Sequence, residues 1–421
     1  MSRKKKNARH NDDVMQEMTM GEIIELLRNN APNPYVIENL TTFTPKRAET
    51  EMIEENVEEN VEEFDLNKLP KPKYIHAMLN QHVIGQDEAK KTLAVAIYNH
   101  YKRIASFDEV ITVGDEYKDV TIEKSNILML GQTGTGKTHI IKTIANFLGV
   151  PCYIADATKL TESGYVGDDV ESIIVGLLKE ADYDIDLTER GIVVIDEIDK
   201  LTKQANQSSI TRDVGGTGVQ QGLLKIVEGC EIGVPPEGGR KHPDQPLIYV
   251  DTNNILFIGM GAFVGLEDII NRRLKKQAIG FNADKVEMNS DATLSSVISS
   301  DLREYGLIPE LIGRFPVITH TNQLTADDLV RIIQEPKNSL LKQYRKLLSM
   351  DGVTITFTEE AYREIANIAL SLEIGARGLR SIIETVLSDI MYDYAGGEQQ
   401  TVEINKDYVL NSLVKYTKKT A

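Results

Sequence analysis

Ser125-Asn-Ile-Leu-Met-Leu-Gly-Gln-Thr-Gly-Thr-Gly-Lys-Thr138 decides how the rest of the chain is read. Asn126 to Leu130 has the apolar run of a short buried strand. Gly131, Gln132, Thr133, Gly134, Thr135, Gly136, Lys137 and Thr138 then fit the spacing G-x-x-x-x-G-K-[ST]. A helical pattern follows in Ile140, Ile141, Ile144, Phe147 and Leu148. Glycines let the backbone curl until successive N–H groups point at a polyphosphate. Lys137 then reaches the terminal phosphates, the Thr138 hydroxyl ligates Mg²⁺, and the new helix turns its positive end toward the same charge.

A second stretch completes this chemistry. Gly191-Ile-Val-Val-Ile-Asp-Glu197 is an apolar strand ending in two carboxylates. Asp196 is placed to hold the metal through its hydration shell, and Glu197 to act as general base on the attacking water. The implied cofactors are ATP and Mg²⁺, with Thr138 and Asp196 on the metal side.

Composition limits the remaining choices. Length of 421 residues suggests two or three domains, and 41% hydrophobic content suits a soluble globular protein. Ile255 to Leu266, the longest nearly apolar run, is too short to span a bilayer, and the basic start lacks a secretory apolar segment. With two cysteines, Cys152 and Cys230, the chain has no disulfide framework, and a cytoplasmic location is expected. A net charge of −17 argues against general nucleic-acid binding. No membrane partner is expected.

Strands at Asn126–Leu130, Cys152–Ala155, Gly191–Glu197, Thr252–Gly259 and Val317-Ile318 alternate with helical patterns. The expected fold is therefore α/β, an αβα phosphate-loop sandwich with a parallel sheet. Beyond His320 the pattern becomes mainly helical, opening with the capping box Thr325-Ala-Asp-Asp328. The expected divisions are an arm at 1–66, a large ATPase domain at 67–320 and a small C-terminal domain at 321–421. The arm is basic at its start and acidic from Glu49 to Asp65, and is expected to be poorly ordered with possible short helices. It offers His10 but no cysteine, so no zinc is expected.

Several further stretches resemble the ClpX family of AAA+ unfoldases, which feed proteins to the ClpP peptidase. Val83-Ile84-Gly-Gln86 is similar to the family's adenine-side segment, and Gly164-Tyr165-Val166-Gly167 to its pore loop. Ser209 to Val214, containing Arg212, resembles the second pore loop, and Arg240-Lys241-His242 the basic loop at the pore mouth. Ile279-Gly280-Phe281 is similar to the peptidase-docking tripeptide, Gly313-Arg314-Phe315 to the inter-subunit arginine segment, and Gly375 to Arg380, with Arg377, to the sensor-2 helix. HslU shares a Gly-Tyr-Val-Gly loop, but the Arg240 and Ile279 stretches favour ClpX. The resemblance runs from about Leu69 to Tyr394.

It implies a homohexamer that recognises, unfolds and threads unfolded or tagged proteins into ClpP, with adaptor proteins as further partners. Arg314 and Arg377 would then act beside Glu197 in catalysis. The family's usual four-cysteine zinc domain has no counterpart in residues 1–70. From the residues alone, Tyr165 could fold back onto its own domain, residues 240–242 could be a solvated cluster, and Ile279 and Phe281 could pack inward. Either arginine could sit in an intrachain salt bridge. The sensor residue after the fourth strand stays unassigned. Two other functions remain open: a stand-alone remodelling chaperone without a peptidase, and a nucleic-acid motor.

Overall fold

The computed structural model describes residues 69–107, 117, 120–161, 168–202, 216–236, 246–277, 293–394 and 400–420. Strands in chain order are β1 (Ile127–Leu130), β2 (Cys152–Asp156), β3 (Leu160–Thr161), β4 (Asp168–Asp169), β5 (Ile192–Asp196), β6 (Glu231–Val234), β7 (Ile248–Asp251), β8 (Leu256–Gly261), β9 (Val317–His320), β10 (Val353–Phe357) and β11 (Gln400–Ile404). The main sheet has the order β2-β5-β8-β1-β9, and every neighbouring pair is parallel.

Side chains alternate across this sheet, as the two-residue strand period requires. Leu128, Leu130, Val193, Ile195 and Phe257 enter one core with the helices Ser172–Glu180, Thr217–Glu228 and Leu266–Gln277. Ile127, Met129, Ile192, Val194, Leu256 and Ile258 enter the other, against Pro72–His82, Asp87–Phe107 and Lys137–Leu148. Burial on both faces is why these strands read as continuous apolar runs rather than alternating ones. Each fully buried side chain of this kind contributes about 1.5–3 kcal/mol.

The strands depart from the expected ones in two places. The fourth strand begins at Leu256, not Thr252, and runs on to Gly261. Asp251 captures the intervening residues: its Oδ1 accepts from Asn253 N at 3.0 Å and from Asn253 Nδ2 at 2.8 Å, closing a 3₁₀ turn over Thr252–Asn254. The antiparallel pair β6–β7 has no counterpart among the strands expected from sequence.

One compact unit ends at Gln323 and another begins at Leu324. The C-terminal unit holds the helices Ala326–Gln334, Leu340–Met350, Glu359–Ser371, Ala376–Tyr394 and Lys406–Thr420, with β10 and β11 paired in parallel. Leu329, Ile333, Leu348, Ile365, Leu379 and Leu387 are in its core. Its first helix carries the expected reciprocal cap: Thr325 N donates to Asp328 Oδ2 at 3.0 Å, and Asp328 N to Thr325 Oγ1 at 3.2 Å. The expectations for residues 1–66 lie outside the described residues.

Candidate active site

Because the five strands are parallel, their carboxyl ends share one edge. Leu130 is in register with Gly261 and His320, and Asp156 with Asp196. Open α/β sheets bind ligands outside this edge. The phosphate loop leaves β1 here with Gly131, Gly134 and Gly136 at φ of 143°, 83° and 94°. A side chain at Gly131 would also run into Thr321, the first residue after β9. The loop is curled by glycine and backed by a neighbouring strand.

Lys137 is buried at the start of its helix, and its Nζ donates to the carbonyls of Gly131 at 2.6 Å and Gln132 at 2.8 Å. The ammonium therefore sits inside the curl of the loop. Thr138 follows, half-buried, while Gln132 and Thr133 are exposed. Thr135 Oγ1 donates to the Gln132 carbonyl at 2.8 Å and lies 2.7 Å from Thr321 Oγ1.

Asp196 ends β5 on the same edge. Its Oδ1 accepts from Glu197 N at 2.9 Å, and Glu197 adopts a left-handed conformation with φ 55°. Non-glycine residues rarely hold this conformation, which costs on the order of 1–2 kcal/mol. The turn leaves the Glu197 carboxylate exposed at the sheet edge. Local burial pushes that carboxyl above the usual carboxylate range, aided by Asp156, Asp196 and Asp199 and opposed by Lys200. This surplus of negative charge suits a divalent cation held by one carboxylate, one hydroxyl and phosphate oxygens, as Mg²⁺ is in nucleotide sites. The residues present fit Mg²⁺ and a polyphosphate.

The adenine-side segment reaches the same loop through Gln86, a residue its sequence did not mark as a ligand. Gln86 Nε2 donates to the Asn322 carbonyl at 2.9 Å and more weakly to that of Thr135 at 3.4 Å, while Asn322 N donates to Gln86 Oε1 at 2.7 Å. Val83 and Ile84, just before it, are buried at 6% exposure each, so they pack rather than project. Also missed were Thr321 and Asp156. Asp156 had a readable signal, an acid ending the strand beside the Asp196 strand; Thr321 had none. At the end of β8, for which the sequence names no sensor residue, Met260-Gly261-Ala262-Phe263 brings no polar side chain. Buried Asp199 fills that place, its Oδ2 accepting from Phe263 N at 3.3 Å.

Arg314 is not part of this edge. It precedes β9, whose Val317 is in register with Ile127, so it lies at the amino edge, and β1 alone spans about 13 Å. There its guanidinium is in an intrachain salt bridge with Glu228 at 2.7 Å. Arg377 is exposed in the first turn of Ala376–Tyr394, in the C-terminal unit. Tyr165, Val166, Arg212, Arg240, Lys241, His242, Ile279, Gly280 and Phe281 lie outside the described residues.

The profile of the AAA domain (Cdc48 subfamily) matches residues 122–318, and that of the C-terminal, D2-small domain of ClpB protein matches 324–404. Over 353 residues, 83% of each chain, the sequence is 52% identical to a Bacteroides fragilis protein named ATP-dependent Clp protease ATP-binding subunit ClpX. Proteins of the same name from Bacteroides thetaiotaomicron and Porphyromonas gingivalis are 46% and 49% identical. They match over 91% of each chain in the first case, and over 81% of this chain and 82% of the relative in the second. Fold, phosphate loop and acidic strand end define an AAA+ ATPase. Within that class, the chain belongs to the ClpX family.

Proposed function

We propose that this ATPase is the motor of a protein-unfolding ring, a cytoplasmic homohexamer that threads unfolded or tagged proteins into the ClpP peptidase. MgATP, when bound, supplies the phosphoryl group and the charge that draws the chain's own groups together. Gly131 to Gly136 would wrap the phosphates with backbone N–H groups, and Lys137 would turn from the loop carbonyls to the terminal oxygens. Thr138 and Asp196 would face the metal, while Glu197 takes the proton of the attacking water.

The observation that carries the assembled form is the placement of Arg314 on the edge opposite its own phosphate loop. A guanidinium so placed is out of reach of its own phosphate loop, which supports a site completed between subunits. Arg377 would add a contact from the C-terminal unit of the same chain. The family's names for its members supply the partner: a Clp protease. In this reading Tyr165, Val166 and Arg212 grip the polypeptide, Arg240, Lys241 and His242 draw in acidic or carboxylate-terminated segments, and Ile279, Gly280 and Phe281 dock the peptidase. Adaptor proteins would bring further substrates.

Degradation of a tagged, stably folded substrate with and without ClpP tests the whole reading. ATP-dependent loss of the substrate only when both proteins are present is expected. Turnover stimulated by DNA but not by unfolded protein would overturn it. Tyr165→Ala should keep basal turnover and lose unfolding, whereas Phe281→Ala should keep both and lose only proteolysis.

A further inference from the structure

Arg314 is held from two sides at the amino edge of the sheet. Its Nε and Nη2 donate to one oxygen, Glu228 Oε1, at 3.0 and 2.7 Å. Its backbone carbonyl accepts from Asn126 Nδ2 at 2.9 Å, and the adjoining Phe315 is buried in the core. Asn126 is itself buried, and its Oδ1 accepts from Phe257 N of β8 at 3.2 Å. The base of the arginine is thus tied to the strand that leads into the phosphate loop and to its neighbour.

Glu228 occupies an unusual place for an acid. It is the last residue of the Thr217–Glu228 helix, where the helix dipole disfavours a carboxylate. A facing cation offsets that cost, and Arg314 supplies it. Guanidinium presents five N–H donors in one rigid plane. With the Nε–Nη2 edge committed to Glu228, the orientation of that plane is set, and among the described residues the Nη1 side has no hydrogen-bond partner. Both side chains are about half-exposed, at 52% and 40%, so a second anion can approach.

We infer that Glu228 is the positioning residue for Arg314: it grips one edge of the guanidinium so that the other meets the terminal phosphate bound to a neighbouring copy. This rests on the reading of Arg314 as an inter-subunit arginine. Exposed ion pairs contribute little to folding. Removing the acid should therefore leave the fold intact and disturb only the aim of the arginine, for which a small misplacement can cost on the order of a hundredfold in rate.

The test uses the full chain and four variants: Glu228→Ala, Glu228→Gln, Arg314→Ala and the double alanine. ATP turnover is measured as kcat and KM, alongside affinity for a fluorescent ATP analogue, hexamer mass and Tm. Glu228→Ala is expected to lower kcat about ten- to a hundredfold without moving ATP affinity, mass or Tm. Glu228→Gln, which keeps an acceptor oxygen at the same reach, should recover most of the rate. Arg314→Ala should be slow, and adding Glu228→Ala should slow it no further. Normal kcat for Glu228→Ala beside a slow Arg314→Ala overturns the inference and leaves the arginine reading standing. So does an equal slowing by Glu228→Ala in both backgrounds, or a drop in Tm or hexamer mass that accounts for the lost rate. Normal turnover by Arg314→Ala instead removes the arginine reading itself, and the inference with it.

Discussion

The hydroxyls of Thr135 and Thr321 lie 2.7 Å apart and tie the phosphate loop to the end of β9, across 186 residues of sequence. Thr321 N also donates to the Leu130 carbonyl at 2.8 Å, at the point where β1 gives way to the loop. The curl is therefore fixed from outside as well as by its glycines. Thr321→Val keeps the shape and removes the hydroxyl. A net hydrogen bond is worth about 1 kcal/mol, so Tm should fall by roughly 2–4 °C. ATP affinity should weaken with it, because the loop loses part of its pre-set form. Calorimetry and equilibrium binding read the two effects. Lower Tm with unchanged affinity would mean that the glycines alone shape the cradle.

Glu197→Gln separates binding from chemistry. Lys137 and the loop amides hold phosphate, so ATP affinity should persist, while turnover falls by roughly 10²–10⁴-fold with the base gone. The same substitution should not lower Tm. Glu197 has its carboxyl raised in the fold by local burial and by Asp156, Asp196 and Asp199, so its ionised form is slightly disfavoured there. A neutral amide removes that repulsion. Normal hydrolysis by this variant would remove Glu197 from the role of base.

Much of the site was legible because its parts are local. Gly131 to Thr138 is eight consecutive residues, and Ile192 to Glu197 is one strand with its turn. What sequence could not supply is lateral: Gln86 meets Asn322, and Thr135 meets Thr321, only because β1 and β9 lie side by side in register. The Glu228–Arg314 pair is of the same kind, joining a helix end to the segment before β9. β1 has four residues like β6 and β7, but it is buried throughout and reads as an apolar run; β6 and β7 are partly exposed, and Gly233 interrupts β6, so they carry almost no signal. Two of the fold's less expected boundaries come from side-chain caps. Asp251 delays β8, and Asn405 Oδ1, accepting from Tyr408 N at 2.9 Å, starts the unforeseen last helix.

Stability should depend on pH through the amino edge. Burial, with Arg103 nearby, lowers Lys124 to about 7, against the opposing pull of Asp251 and Cys230. Its Nζ donates to the Thr252 carbonyl at 2.8 Å and sits 4.6 Å from the centre of the Phe257 ring. Between that value and the ordinary lysine range the unfolded chain binds more protons than the folded one, so stability rises with pH there. His100 is lowered to about 3 by burial and by Arg103 and Lys124, so its contribution is full above the ordinary histidine value and is lost as pH falls below it. Tm of the parent should therefore climb from pH 7 to pH 9, and Lys124→Met should flatten that climb. An equal rise in both proteins would place the effect elsewhere.

Gln86 offers a sharper test of how the adenine-side segment is joined to the phosphate loop. Its backbone is strained at φ 59°, and its carboxamide makes a reciprocal pair with the Asn322 backbone, accepting at 2.7 Å and donating at 2.9 Å. Gln86→Glu keeps the accepting oxygen but cannot donate, so the Asn322 carbonyl faces a carboxylate oxygen instead of an N–H. The pair is only part-buried, so losing this donor costs about 1 kcal/mol. Gln86→Leu removes both halves without placing a charge at this buried position. If this pair holds Val83-Ile84 in place for the nucleotide, ATP affinity should fall in step with Tm in both variants, with kcat changing less. A series in which Tm falls while affinity for ATP holds steady would reduce Gln86 to a tie between helix and sheet, and would take the Val83 segment out of the nucleotide site.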